Sequence, residues 1–493
     1  MKKRYAVIFI ILCSVLLCLF PADLFFFEIS EWVIYAVITA MTIAAAGIVF
    51  LSGARMRGKI SASVTALILI VTAAGGIWLD PYFNGTNLRL TGTAPTQPYD
   101  TQIPADKACA DLDYAMKYLQ KVHPSFMNGT PENIAEAFRN AKNEVNAQGS
   151  VTVNELARKT ESILSLLNDA HTAAFCQYAE PLYLKHYNSW KQGGWSLTAL
   201  SGITLKELLK QKSDLYSFEA ESWELESLKK DLLNIQGLDY LGFSGDDGIT
   251  FTFTDDEGNE SSGTYYTDDF VTYAEYLQFN GIESANDSSG SFVSFTVDED
   301  RSLAVLTLNE CVYNSEYVNC VREMFTQVKE KGIKNVAVDL RENGGGNDQT
   351  AIEFIRYLDT DGYLIATEHQ RLGFLTTEES RHDAVNDRIP GLTFTGNVYV
   401  LSSAGTFSSA MLFTQYIKDN NLGTVIGEPP GNDPNGFGET VWFRMPASGI
   451  ILSISSKQFT RADRECTDRY VMPDVPCEAG EAMTVLYSMI SES

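Results

Sequence analysis

Two apolar runs, each breaking into a turn of small residues, carry the chemistry this chain could do. Val336 to Leu340 opens into Arg341-Glu342-Asn343-Gly344-Gly345-Gly346, and Val398 to Ser402 opens into Ser403-Ala404-Gly405-Thr406-Phe407-Ser408-Ser409. Glycine amides can approach a ligand closely because no side chain intervenes. The second turn presents hydroxyls at the start of a helical run, Met411 to Lys418, where unpaired amides and the helix dipole favour negative charge. A nucleophilic serine beside two amide-lined turns suits acyl transfer, whose tetrahedral intermediate carries an oxyanion. The bland alternative is that Ser408 merely caps its helix. A third segment far upstream, Leu166-Leu167-Asn168-Asp169-Ala170-His171-Thr172, adds an imidazole suited to general-base work near neutral pH.

The elements that must position these residues read as an α/β core. Phe292 to Thr307 gives two strands, Val318 to Lys331 a helix, Val336 to Leu340 a buried strand and Ala351 to Leu358 a helix. Val398 to Ser402 is the next strand and Ser408 to Lys418 the nucleophile helix. Such alternation implies parallel pairing. Upstream, Leu112, Ala115, Met116 and Leu119 recur at helical spacing, as do Ile134, Phe138 and Ala141, and Thr152 to Leu167 adds a third amphipathic run that stops at His171. Tyr240 to Tyr266 alternates apolar and polar residues around Asp-Gly and Glu-Gly turns, which argues for hairpins.

Together the three segments resemble the tail-specific (C-terminal processing) and tricorn-core serine peptidases. That family carries Asp-x-Arg-x-Asn-x-Gly-Gly, matched from Asp339 to Gly346, and a Gly-Ser/Thr-x-Ser nucleophile turn, matched from Gly405 to Ser408. The tricorn-like branch adds Leu-x-Asp-x-His-Thr, matched from Leu167 to Thr172. Tail-specific members use a lysine base in a Phe-Gly-Lys segment, but here Phe437-Gly438 is followed by Glu439, so the histidine branch fits better. The resemblance runs from about Cys109 to the C-terminus. It implies a crotonase-like catalytic core and a degenerate PDZ-like module in the middle region. It assigns Ser408 as nucleophile and His171 as base. A C-terminal acid completes the relay, Asp468 by first choice and Glu465 by second. Gly344 or Gly345, with Ser409, supply the oxyanion-hole amides. Arg341 and Asp339 brace the glycine turn, and His123 is a structural landmark without chemistry. Two other readings stay open: a catalytically inactive homologue that holds peptides in the same cleft, and a transporter or sensor acting through its apolar N-terminal segments.

Ala6 to Phe20, Trp32 to Leu51 and Ser61 to Leu79 contain no charged residue, and the latter two approach the length needed to cross a bilayer. They are expected to be three transmembrane helices, with a cleaved signal peptide as the rival for the first. Basic residues at Lys2, Lys3, Arg4, Arg55, Arg57 and Lys59 put the N-terminus in the cytoplasm and everything after Leu79 outside, at the cell membrane. The chain is expected to divide at 1–80 (three transmembrane helices), 81–105 (linker), 106–178 (helical subdomain with His171), 179–290 (PDZ-like, β-rich middle region) and 291–493 (α/β catalytic domain). The net charge of −26 makes nucleic acid a poor partner, leaving protein or peptide substrates and, through the helices, membrane lipid. None of the eight cysteines has zinc-ligand spacing, so neither metal nor cofactor is expected. Cys466 with Cys477 and Cys311 with Cys320 are candidate short-loop disulfides, against the alternative of free thiols.

Overall fold

The computed structural model describes residues 96–491 except 179, 187–190, 282–290, 373–374 and 379–380. Its centre is a six-stranded sheet in the order Val293–Asp298, Leu303–Leu308, Asn335–Asp339, Asn397–Ser402, Thr424–Gly427 and Val475–Pro476. The first pair is antiparallel and the remaining pairs are parallel. Leu303–Leu308, Asn335–Asp339 and Asn397–Ser402 read as nearly continuous apolar runs because both faces are covered. Helices Ser315–Lys331, Gln349–Ile355 and Ser409–Asp419 pack one side, and the C-terminal helix Ala482–Ser491 packs the other. In the parallel register Val338 faces Val400 and Asp339 faces Leu401. The two small-residue turns therefore leave neighbouring strands at the same, carboxyl end, where open α/β sheets bind their ligands.

A second sheet holds the base. Strands Thr367–Leu372, Phe437–Arg444 and Ile451–Thr460 pair antiparallel, and the short strand Ala173–Phe175 joins at Ile451 to Ser453. His171 thus sits two residues before a strand docked on this sheet. Helices Ala105–Val122, Glu132–Gln148 and Val153–Leu164 pack on the same sheet through Val441, Phe443, Leu452 and Ile454. The third helix starts with a reciprocal cap, in which Thr152 accepts from the Glu155 amide and Glu155 from the Thr152 amide.

The middle region has its own core around Phe251, Leu200, Leu228 and Leu238. Ile249–Asp255 and Glu260–Tyr265 form the expected hairpin, whereas Ile235–Leu241 is helical, so Tyr240 lies on a helix. Gly242 closes that helix in the left-handed conformation, its amide and that of Phe243 bonded back to Leu238. Tyr240-Leu241-Gly242-Phe243 is thus a helix stop.

Two expectations change. The three transmembrane helices are not supported: no helix among the described residues is long and apolar enough to cross a membrane, and residues 1–80 lie outside those described. The fold is a mixed α/β one. Among the described residues Cys311, Cys320, Cys466 and Cys477 are all free thiols, so neither candidate disulfide forms.

Candidate active site

The nucleophile turn is built from backbone. Ser408 immediately precedes helix Ser409–Asp419 and takes φ 55° and ψ −123°, a conformation that costs a side-chain-bearing residue about 1–3 kcal/mol. Fixed neighbours hold it there. Its amide donates to Asn432 Oδ1 at 2.8 Å, and the Phe407 amide donates to the Asn343 carbonyl at 3.0 Å. The other hydroxyls of the segment are committed: Ser402 donates to the Glu428 carbonyl, Ser403 to Arg341 and Ser409 to Gly346. Among the described residues only the Ser408 hydroxyl of this group has no protein carbonyl to serve.

The glycine turn closes over Ser408. Gly345 has φ 107°, and a Cβ there would lie 2.6 Å from Ser408 Cβ, so the approach requires glycine. Asn343 braces the turn by donating to the Leu308 carbonyl and accepting from the Gly345 amide at 2.9 Å. Arg341 pairs with Asp339 and reaches the Ala479 carbonyl. The Gly345 amide is thus spoken for, whereas among the described residues the amides of Gly344 and Ser409 have no acceptor. Gly344, Gly345, Ser408, Ser409 and His171 line one cleft of about 870 Å³.

The base is built from buried side chains. The His171 ring lies 4.5 Å from that of Phe407, the residue before Ser408, and Phe407 in turn stacks on Trp223 at 3.9 Å. Burial lowers the His171 pKa against the pull of Asp169, so the imidazole is unprotonated at neutral pH. Both ring nitrogens are buried without a hydrogen-bond partner among the described residues. Asp169 Oδ1 accepts from the His171 amide at 2.9 Å and stands 3.9 Å from Nδ1, while Oδ2 lies 3.0 Å from His123 Nε2. Burial alone would raise the Asp169 pKa, but contact with His123 and the nearness of His171 and Thr172 bring it down to about 2.

Glu219 is the second acid here, with ligating atoms of Asp169, His171 and Glu219 all within 4.8 Å of one another. Its oxygens accept from the Asp433 and Phe437 amides, and Gly436 must be glycine because a Cβ would meet them at 2.6 Å. Burial raises its pKa to about 8. The Asp169 and Glu219 oxygens are already engaged by protein donors, so the cluster reads as a proton-holding network rather than a cation cage.

Asp468 and Glu465 are exposed and are not among the residues that line the cleft with His171. The nearby link is through Arg469 and Tyr470, which both donate to the Glu219 carbonyl at 3.0 Å. Glu219 could not be anticipated, because its chain position is remote from every motif. Asp169 was visible within its motif but unassigned. Lys457 lines the cleft across from Gly438, paired with Glu368 at 2.9 Å and Glu439 at 3.6 Å. Burial works to lower its pKa, but those carboxylates win and keep it protonated, which unfits it as a base.

Residues 302–477 match the model of peptidase family S41. A curated relative, the chloroplastic C-terminal processing peptidase of Tetradesmus obliquus, is 24% identical over 163 residues, which is 33% of this chain and 33% of that protein. The match therefore spans a third of that relative's length. Among solved structures, mature CPAF complexed with lactacystin aligns with a TM-score of 0.55 at 12% identity, over 79% of this chain and 97% of that one. Mature CPAF alone gives 0.55 at 13% identity, over 79% and 96%. At such identities the likeness is one of fold. The segment 302–477, which holds both turns, is thus similar to peptidase family S41 in sequence and to mature CPAF in fold.

Proposed function

We propose that the protein is a serine endopeptidase that hydrolyses peptide bonds in loosely folded proteins or tails. The observation that carries this reading is the Ser408 hydroxyl, held by a strained backbone in a cleft with His171 while its serine neighbours are bonded away. Ser408 attacks the scissile carbonyl, and His171 takes its proton and returns it to the leaving amine. Amides of Ser409 and Gly344 receive the oxyanion, with Gly345 holding the turn in place. Asp169 takes the role expected of Asp468 or Glu465: it is ionised and faces Nδ1, which leaves Nε2 for the nucleophile. Its 3.9 Å gap closes as the imidazolium forms, since catalytic hydrogen bonds are often long before substrate binds. Glu219, protonated at neutral pH, cannot offer the same charge.

The test is cleavage of an unfolded protein substrate by the wild type and by Ser408→Ala, with loss of about ten-thousand-fold or more in kcat expected. Retained turnover in the variant would move the nucleophile elsewhere, and absent turnover in the wild type would favour the inactive peptide-holding homologue.

A further inference from the structure

Resting on the peptidase reading above, we infer that His123 is a positioning residue for catalysis, a second imidazole that orients Asp169 towards the base. His123 stands 46 residues before Asp169 and both side chains are fully buried. The Ser125 amide donates to His123 Nδ1 at 3.1 Å, so Nδ1 is an acceptor and carries no proton. The ring proton is therefore on Nε2, where it is donated to Asp169 Oδ2 at 3.0 Å. One histidine tautomer is fixed by its own turn, and it in turn fixes the carboxylate.

The ring itself cannot drift. It lies 4.8 Å from Phe437 and 5.9 Å from Phe126, and its carbonyl accepts from Arg371 Nη1 at 2.7 Å, tying the turn to the sheet that carries His171. With Oδ2 held by His123 and Oδ1 by the His171 amide, the carboxylate can neither rotate nor withdraw from Nδ1. A buried carboxylate with one free oxygen would have rotamers that turn away from the base, and orientation is what a relay acid contributes. The titratable groups facing this pair are His171, Glu161 and Glu219, with Arg371 as the cation behind His123.

Two variants separate orientation from packing. His123→Phe fills the space between Phe126 and Phe437 but removes the donor, whereas His123→Gln keeps an N–H at the Nε2 position. Both lose the acceptor for Ser125 that the imidazole provides, so the difference between them reports on Asp169. His123→Phe should lower kcat about tenfold to a hundredfold, the worth of a hydrogen bond to a charged group, with KM nearly unchanged. Its acid limb should move to higher pH, because Asp169 without a donor is more basic and strengthens its hold on a protonated His171. His123→Gln should recover most of the rate and the original limb. Equal losses in both variants with an unmoved limb, or no loss in His123→Phe, would overturn the inference. Should the variants fail to fold, nitrogen NMR of histidine-labelled full-length wild type decides: a proton on Nε2 of His123 is required, and one on Nδ1 refutes it. A fluorophosphonate reports separately on the underlying reading. If it labels Ser408 while the His123 variants behave alike, only this inference falls; if it labels nothing, the peptidase reading falls.

Discussion

Around Ser408 the protein works with backbone, and around His171 it works with buried charge. The nucleophile side is two turns at the ends of adjacent parallel strands, stitched by Asn343, Asn432 and main-chain bonds, with Gly345 in van der Waals contact with the serine. The base side assembles His123, Asp169, His171 and Glu219 from three distant stretches of chain, all buried except the partly buried His171, with the two carboxyls shifted in opposite directions by their surroundings. The first construction is sensitive to an added methyl group and indifferent to pH. The second should tolerate shape changes at its edges but respond to every change of proton or charge.

Removing the imidazole gives the largest effect on the charged side. His171→Ala should lower kcat by about a thousandfold or more, as loss of a triad member does elsewhere. In the wild type, activity should rise with pH as His171 loses its proton, with the midpoint below the ordinary 6.5 because burial depresses it. A midpoint above that value would mean that Asp169 outweighs burial.

On the backbone side Gly345→Ala is the counterpart. The added carbon would sit 2.6 Å from Ser408 Cβ at a φ of 107°, so the turn must shift and the amides with it. Loss of about a hundredfold or more in kcat is expected, since misplacement by about 1 Å is enough for that. The pH midpoint should stay where it was; a moved midpoint would blur the distinction between the two sides.

Glu219→Gln sharpens the contrast through stability. The folded state holds this carboxyl protonated to about pH 8, against an ordinary value of 4.5, so the unfolded chain releases the proton first. Stability should therefore fall as pH rises from about 4.5 through about 8, with Glu161, raised to about 7, contributing in the same direction. Melting temperatures of Glu219→Gln across this window should decline less steeply than those of the wild type; parallel slopes would deny Glu219 its buried proton. The smallest effect belongs to the exposed acids: Asp468→Asn and Glu465→Gln should change kcat less than about twofold, and a large loss would return the relay role to that loop.

This division also governs what could be read before folding. Asp339 to Gly346 and Gly405 to Ser408 are contiguous, and glycine and serine types in a strand-turn-helix order imply their own geometry, so both turns were legible. The helices through Leu112, Ile134 and Thr152 were legible from periodicity. The neighbourhood of His171 was not, because Glu219 comes from the middle region and His123 from a helix end, and nothing local announces a burial that tertiary packing alone creates. Asp468 drew attention by its place near the C-terminus, yet its segment reaches the site through Arg469 and Tyr470 at a backbone carbonyl. Tyr240 misled through strand-like alternation, which Asn234 overrides by capping a helix.

The most direct test is to treat the wild type and His171→Ala with a fluorophosphonate and map the adduct by mass spectrometry. A single adduct on Ser408 is expected in the wild type, forming faster as pH rises through the His171 titration, and almost none in His171→Ala. An adduct on Ser402, Ser403 or Ser409, or equal labelling of Ser408 without His171, would contradict it.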